Sequence, residues 1–128
     1  MISTKAKLLK QKNSSKISGV HTQMIEYEVN LSEQAAKDMS DIYDYIATSI
    51  GMPQTAMEQF NRIADAIETL SQFPERIKVM HDPKRPTIQF RQLFVDNFSI
   101  IFVISDKTVN VLRVAYSPSN IVAKLEDI

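Results

Sequence analysis

Two arginines and one tyrosine in the last third of the chain have side chains that could cleave a phosphodiester bond without a metal ion. Arg91, Arg113 and Tyr116 lie in or directly after runs of apolar and β-branched residues. Metal-free cleavage at a phosphate needs one group that activates the attacking hydroxyl, one that neutralises the developing charge and one that protonates the leaving oxygen. A guanidinium matches phosphate oxygens, and a tyrosine serves as acid or base when neighbouring cations lower its pKa. These three residues are therefore candidate catalytic groups.

Each of these residues also has a purely structural interpretation. The arginines can be sheet residues whose stems pack and whose heads pair with carboxylates, and the tyrosine can be an aromatic at the edge of the core. Arg113 and Tyr116 are three residues apart, so on a regular strand they face opposite sides of the sheet. They share a site only if the strand ends or bulges between them.

A proline-containing connection over residues 74–86 carries most of the positive charge outside the N-terminal region. We predict that it binds substrate phosphates, and the alternative is a mobile, solvated connection with a solvated histidine. The candidate substrate-binding residues are Lys78, His81, Lys84 and Arg85.

Nothing in the sequence indicates metal or cofactor chemistry. The chain has no cysteine, so disulfides and thiolate zinc sites are excluded. Its two histidines, His21 and His81, are far apart in the sequence. No carboxylate cluster indicates a site for a hard cation. No apolar run approaches the roughly 18 residues of a membrane span, and no apolar block follows the basic N-terminus as in a signal peptide. We expect a cytoplasmic protein without a metal or cofactor.

Charge is distributed unevenly along the chain. Residues 1–23 contain five lysines and no acidic residue, which leaves ten basic and fifteen acidic residues in the remainder. We predict a flexible basic extension over 1–23 and a folded domain over 24–128. The extension is either an electrostatic arm for nucleic acid or an acidic partner, or it has no dedicated role. An acidic folded domain is not an obvious nucleic-acid binder, although local patches can be basic.

The candidate catalytic residues lie in a segment, residues 87–120, that is predicted to form three antiparallel strands. Asp96-Asn97 predicts a two-residue hairpin turn, and Ser105-Asp106-Lys107 predicts the next turn. The run 98–104 between these turns is apolar at nearly every position. Such a strand has both faces covered, so we place it at the centre of the sheet.

The chain before this segment predicts one strand and two helices. Residues 25–31 alternate between apolar and polar types, as in a strand with one wet face. Ser32 is a candidate N-cap for an amphipathic helix over 33–50 that Gly51 ends, and a second apolar stripe predicts a helix over about 54–72. The order β-α-α-β-β-β predicts an α+β fold, an antiparallel meander sheet with a helical hairpin packed on one face. The other face is free to hold a site.

This ordered set resembles the RelE/ParE superfamily of toxins from type II toxin–antitoxin systems over about residues 25–125. The resemblance is carried by an opening strand, the first helix and two strand segments. These stretches are Tyr27-Glu28-Val29, Ile42-Tyr43-Asp44-Tyr45-Ile46, Arg91-Gln92-Leu93-Phe94-Val95-Asp96-Asn97-Phe98 and Val111-Leu112-Arg113-Val114-Ala115-Tyr116.

The resemblance implies a bacterial toxin that inhibits growth and is neutralised by a cognate antitoxin. One branch of the superfamily resembles ribosome-dependent mRNA endonucleases, and the other resembles proteins that poison DNA gyrase without nuclease chemistry. By position, Arg91 and Tyr116 best match the catalytic residues of the nuclease branch. Where related sequences carry an arginine after Tyr-Gly-Gly, this chain has Ser119, which removes a phosphate contact. Cleavage of mRNA on the ribosome is the first interpretation, and its alternatives are gyrase poisoning without nuclease activity and an inactive protein-binding module.

Overall fold

The computed structural model describes residues 26–117. In chain order the elements are β1 (Glu28–Leu31), α1 (Glu33–Asp44), a π-helical turn (Tyr45–Ser49), α2 (Pro53–Glu68), two 3-10 turns (Thr69–Ser71 and Pro74–Arg76), β2 (Val79–Met80), β3 (Phe90–Val95), β4 (Phe98–Ser105) and β5 (Thr108–Tyr116). The predicted α+β order is confirmed. The predicted boundary after residue 23 and a predicted helical turn over 120–125 lie outside the described residues.

The strands form one five-stranded sheet in the order β1-β5-β4-β3-β2. The meander β3-β4-β5 is antiparallel, as predicted, whereas β1 pairs with β5 in parallel. The two turns contain Asp96 at φ 54° and Asp106 at φ 56°, backbone angles that aspartate tolerates better than most residues. The predicted central strand, β4, is the middle strand, and its residues 99–102 are buried.

Both helices pack against the same face of the sheet. Ser32 caps α1, because its side-chain oxygen accepts a hydrogen bond from the backbone N–H of Ala35, and this satisfies a donor that the helix itself leaves free. The apolar stripe of α2 then meets the sheet and α1. The buried core comprises Val29, Ala35, Met39, Phe60, Ile63, Ala64, Ile67, Leu70, Ile100, Phe102, Val109, Val111 and Val114.

The first helix is shorter than the periodicity predicts. The α-helical hydrogen bonding ends at Asp44, and Ile50 donates to the carbonyl of Tyr45, five residues back, at 3.0 Å. Gly51 then takes φ 81°, and Pro53 begins α2. Proline suits that position because the first turn of a helix does not use its N–H groups.

The connection over 74–86 contains a strand that the sequence analysis did not predict. β2 pairs with β3 at the edge of the sheet. A smaller apolar cluster lies on the sheet face opposite the helices, where Phe90 and Ile101 are buried and Met80, Val103 and Leu112 pack against them. Within residues 26–117, none of the helices combines the length and the apolar character that crossing a bilayer requires.

Candidate functional site

Arg113 forms a buried ion pair with a carboxylate of the first helix. Its Nε and Nη2 donate to the two oxygens of Asp38 at 2.8 and 2.9 Å, and the two side chains are only 10% and 14% exposed. This is the bidentate geometry in which a guanidinium binds a carboxylate most strongly. The guanidinium that would bind a phosphate is therefore already bound to Asp38. This contact agrees with the structural interpretation of Arg113.

The same contact fastens α1 to the edge of β5. β1 ends opposite Val111, so within residues 26–117 no strand lies beside the following residues of β5 on that edge. Ser32 donates its N–H to the carbonyl of Val111 and its hydroxyl to the carbonyl of Leu112, and Asp38 accepts the N–H of Val114 at 3.0 Å. The start of α1 thus satisfies backbone groups that an edge strand would leave unpaired.

Arg91 lies on β3 and holds the preceding loop against the sheet. Its Nη1 donates to the backbone carbonyls of Glu75 at 3.0 Å and Ile77 at 2.6 Å. It pairs in register with Phe102, a residue of the main core, so its side chain leaves the sheet on the helical side. The nuclease role predicted for Arg91 stays a prediction, and the visible role is to position residues 75–77.

Tyr116 is half exposed at the end of β5, and its ring meets Phe98 edge-on with 5.7 Å between centroids. β5 contains one bulge, where the partner of Ile101 is Arg113 and the partner of Phe102 is Val111. The bulge precedes Arg113, and pairing from there to Tyr116 is regular. Arg113 and Tyr116 therefore project to opposite sides of the sheet. The strand neither ends nor bulges between them, so they do not share a site.

The predicted substrate-binding loop presents cations around a buried acid. Lys78, His81 and Lys84 are exposed. Asp82 is 3% exposed, accepts the N–H of Lys84 at 3.0 Å and pairs with Arg85 at 3.3 Å. A buried carboxylate needs such partners, and these contacts close a turn in which the N–H of Arg85 also donates to the carbonyl of Asp82. The loop is thus organised around Asp82, which the sequence analysis did not single out.

A polar cluster at the β3–β4 turn was also missed. Asp96 accepts hydrogen bonds from Arg62 at 2.8 Å and Gln59 at 3.0 Å, both on α2. The bond from Arg62, followed by that from Gln59, lowers the pKa of the Asp96 carboxyl. The spacing of Gln59 and Arg62, one helical turn apart, and the position of Asp96 in a turn are visible in the sequence. Their contact across 34 residues is not.

A second polar contact links Tyr27, just before β1, to the segment that follows α2. The Tyr27 hydroxyl donates to the carboxylate of Glu75, and the Tyr27 N–H donates to the carbonyl of Ser71 at 2.8 Å. The hydrogen bond raises the pKa of Tyr27 and lowers that of Glu75. Tyr27, just before β1, is therefore held beside the second 3-10 turn.

An open cleft of about 370 Å³ lies at the C-terminal end of α2. Phe73 on its wall is 67% exposed and takes φ 48°, a left-handed conformation that is unfavourable for a bulky residue. Ser71 is buried, and its hydroxyl has no hydrogen-bond partner among the described residues. The lining residues are Glu68, Thr69, Ser71, Gln72, Phe73 and Arg76. None of the predicted catalytic residues belongs to this lining.

A family model described as the ParE toxin of the type II toxin–antitoxin system parDE matches residues 29–118. No curated protein matches the chain.

Solved toxin structures share the fold. The chromosomal ParDE system of Pseudomonas aeruginosa gives a TM-score of 0.59 at 24% identity, over 71% of this chain and 96% of that chain. A double mutant of the Escherichia coli toxin RelE in the free state gives 0.51 at 14% identity, over 80% and 98%. The RelE–RelB complex of Pyrococcus horikoshii gives 0.50 at 14% identity, over 74% and 99%. The predicted RelE/ParE-like fold is confirmed.

Proposed function

The chain belongs to the ParE toxin family of type II toxin–antitoxin systems, and we propose that it inhibits bacterial growth by binding DNA gyrase in the cytoplasm and that a cognate antitoxin neutralises it. Gyrase poisoning is a binding function, so it requires no acid, base or phosphate clamp within one site. The match to the ParE branch over most of the folded region supports gyrase rather than the ribosome as the target.

The ion pair between Arg113 and Asp38 is the observation that favours gyrase binding over RNA cleavage. RNA cleavage needs a cation beside an acid–base group at one phosphate. Here Arg113 is bound to Asp38, Arg91 donates to backbone carbonyls, and Tyr116 projects away from Arg113. An arrangement with these groups apart supports binding over catalysis.

The antitoxin is proposed from the relatives. The structures from P. aeruginosa and P. horikoshii are a ParDE toxin–antitoxin system and a RelE–RelB complex. We infer that a protein partner of the same kind covers this chain. Its gene would lie beside the gene for this chain, and its co-expression would restore growth to cells in which induction of this chain alone stops growth.

A supercoiling assay tests the proposed target. Purified chain is added to gyrase and relaxed plasmid, and we expect loss of supercoiling together with cleaved plasmid. A topoisomerase that does not resemble gyrase serves as the control and stays active. Undiminished supercoiling by gyrase, combined with growth arrest in cells, would exclude the proposed target. Unchanged growth over a wide range of induction would instead support the inactive binding module.

The variant Tyr116→Phe separates gyrase binding from RNA cleavage. It removes the hydroxyl that a nuclease would use as an acid or base but keeps the ring that contacts Phe98. We expect unchanged growth inhibition, and we expect primer extension on translated messages to show no new 5′ ends in arrested cells. New ends in the wild type that disappear in Tyr116→Phe would establish mRNA cleavage instead.

A further inference from the structure

The strand at one edge of the sheet has backbone groups that face away from the other strands. β2 is the last strand on its side, and within residues 26–117 no strand lies beyond it. The N–H of Gln92 donates to the carbonyl of Lys78 at 3.4 Å, and the next pair in register is Val79 with Arg91. In an antiparallel ladder, hydrogen-bonded pairs alternate with pairs that do not hydrogen-bond to each other. The N–H and C=O of Val79 therefore point outward, to the open edge of the sheet.

Contacts on the strand and after it hold this edge in place. Met80 packs against Phe90 and Ile101 on the face of the sheet opposite the helices. The buried carboxylate of Asp82 accepts the N–H of Lys84 at 3.0 Å and so fixes the turn that follows the strand. The edge is thus formed before any partner arrives, and binding to it does not have to order a loop first.

Positive charge surrounds the edge. Residues 78–85 contain three basic residues, one histidine and one acidic residue. Lys78 and His81 flank β2 and are exposed, whereas the acidic residue, Asp82, is 3% exposed and pairs with Arg85. Lysine beside an edge strand discourages pairing with a second copy of the same edge, and it attracts a strand that carries acidic side chains.

The opposite edge of the sheet has the opposite charge. β1 is the other edge strand, and residues 26–31 contain Glu26 and Glu28 and no basic residue. Like charges placed beside each other on neighbouring strands are destabilising. An acidic strand is therefore repelled at β1 and attracted at β2, so charge selects one of the two edges.

We propose that β2 binds an extended, acidic segment of a protein partner, which adds to the five-stranded sheet as a sixth strand. Main-chain hydrogen bonds to Val79 hold the segment, and its acidic side chains meet Lys78 and His81. The phosphate backbone of DNA has acceptors but no donors, so it would leave the outward carbonyl of Val79 unpaired. The inference goes beyond the proposed function, because it assigns a second binding surface and does not depend on gyrase.

Fluorescence anisotropy with the full chain tests the proposal. The probe is a labelled peptide of about eight residues that alternates glutamate and valine, and valine favours the extended conformation. The comparison probes are the same peptide with lysine in place of glutamate, the same peptide N-methylated at every residue, and a DNA duplex. We expect the unmodified acidic peptide to bind most tightly. Equal binding of the N-methylated peptide, or tighter binding of the duplex, would overturn the proposal.

Substitutions at Val79 test the main-chain pairing. Val79→Pro removes the outward N–H, and proline is tolerated on an edge strand where the N–H does not serve the sheet. We expect roughly fivefold weaker binding of the acidic peptide, the value of one main-chain hydrogen bond. Val79→Ala keeps the N–H and should bind within about twofold of the wild type. Equal binding by the two variants would overturn main-chain pairing at this residue.

Charge reversal tests the selection of an acidic strand without changing the backbone. Lys78→Glu should weaken binding of the acidic peptide about tenfold and should allow the lysine-containing peptide to bind. The matched control is Lys107→Glu, an exposed position in the β4–β5 turn, which should change neither affinity by more than about twofold. Equal effects of the two variants would overturn the assignment of the charge to this edge.

Amide hydrogen exchange locates the added strand. The amide of Val79 should exchange at least about tenfold more slowly when the acidic peptide is bound, because its N–H then has a partner. Protection of β1 in place of β2 would overturn the location. Sedimentation of the chain without peptide provides the last check, because self-association that Lys78→Glu abolishes would show that a second copy occupies the edge and would overturn the proposed partner.

Discussion

Asp38 receives three hydrogen bonds from β5, two from the guanidinium of Arg113 and one from the backbone N–H of Val114. Its position on α1 is therefore the reason why Arg113 can be charged and 8% exposed. A buried ion pair contributes little compared with a well-packed apolar pair, but the loss of one partner leaves the other charge buried without compensation. Arg113, a candidate catalytic residue in the sequence analysis, therefore has a structural role in joining α1 to β5.

Asp38→Ala should lower the free energy of unfolding by about 3 kcal/mol, because it leaves Arg113 charged and buried. Asp41→Ala on the same helix is the matched control. It breaks an ion pair with Lys37 whose side chains are 75% and 60% exposed, so it should cost less than about 1 kcal/mol. Urea unfolding of both variants measures the difference, and equal losses would contradict the structural role of the buried pair.

Asp96 makes the stability of the domain depend on pH. The hydrogen bonds from Arg62 and Gln59 lower its pKa in the folded state. Such a carboxyl stabilises the fold at pH values above its unfolded pKa, about 3.9, and that stabilisation is lost as the pH falls through the folded pKa. The melting temperature of Asp96→Asn should therefore lie furthest below that of the wild type near neutral pH, and this deficit should shrink below about pH 4.

Asp106→Asn provides the comparison for this measurement, since Asp106 takes nearly the same φ in the following turn. Asparagine tolerates the left-handed region as aspartate does, so both substitutions preserve the backbone. Thermal unfolding from pH 2.5 to pH 7 shows whether the deficit of Asp96→Asn disappears in acid. A deficit that persists at low pH, or one equal to that of Asp106→Asn throughout, would contradict the assignment.

Among the elements, those with a long apolar pattern were predictable and those defined by a few contacts were not. Periodicity located both helices and the three strands of the meander because each buries one or both faces along its whole length. β2 has two residues, too few for alternation to appear. The site depended on contacts between distant residues, since Asp38 and Arg113 are 75 positions apart and no local pattern specifies such a pair.

The end of α1 was misplaced for a related reason. In the sequence, the apolar residues keep their three- and four-residue spacing through Tyr45–Ser49, where the hydrogen bonds span five residues instead of four, so the spacing alone does not indicate the change of helix type. The N–H of Met52 then donates to the carbonyl of Ile46 at 3.0 Å. This hydrogen bond spans Gly51, as in a helix C-cap. The sequence therefore identified Gly51 as the residue that ends the first helix. It did not indicate the change from α-helix to π-helix before Gly51.

Gly51→Ala should lower the free energy of unfolding by about 1 to 2 kcal/mol, because alanine is unfavourable at a left-handed position. A methyl group there would meet nothing within 4 Å at φ 81°, so steric contact with other residues makes no contribution. Gly51→Asn should cost less, since asparagine tolerates this region. Chemical denaturation of the two variants distinguishes backbone strain from a general intolerance to side chains, for which asparagine would cost more than alanine.

For the whole molecule, the parallel pairing of β1 with β5 joins the first described strand to the last. Val29 on β1 and Val109 on β5 are partners in register, and both belong to the core that the helices cover. One core with contributions from every layer makes a single cooperative unit. β1 is therefore part of the same folding unit as the meander.

Val29→Ala should destabilise the whole domain by roughly 2 kcal/mol, the value of a buried valine side chain, and not merely detach β1. Val79→Ala on the opposite edge strand is the matched control, because Val79 is 39% exposed against 5% for Val29, and its cost should stay within about 0.5 kcal/mol. The chain has four tyrosines and no tryptophan, so tyrosine fluorescence and far-UV circular dichroism provide two independent probes of unfolding. Both midpoints should move together in Val29→Ala. Separate transitions would show that β1 unfolds independently.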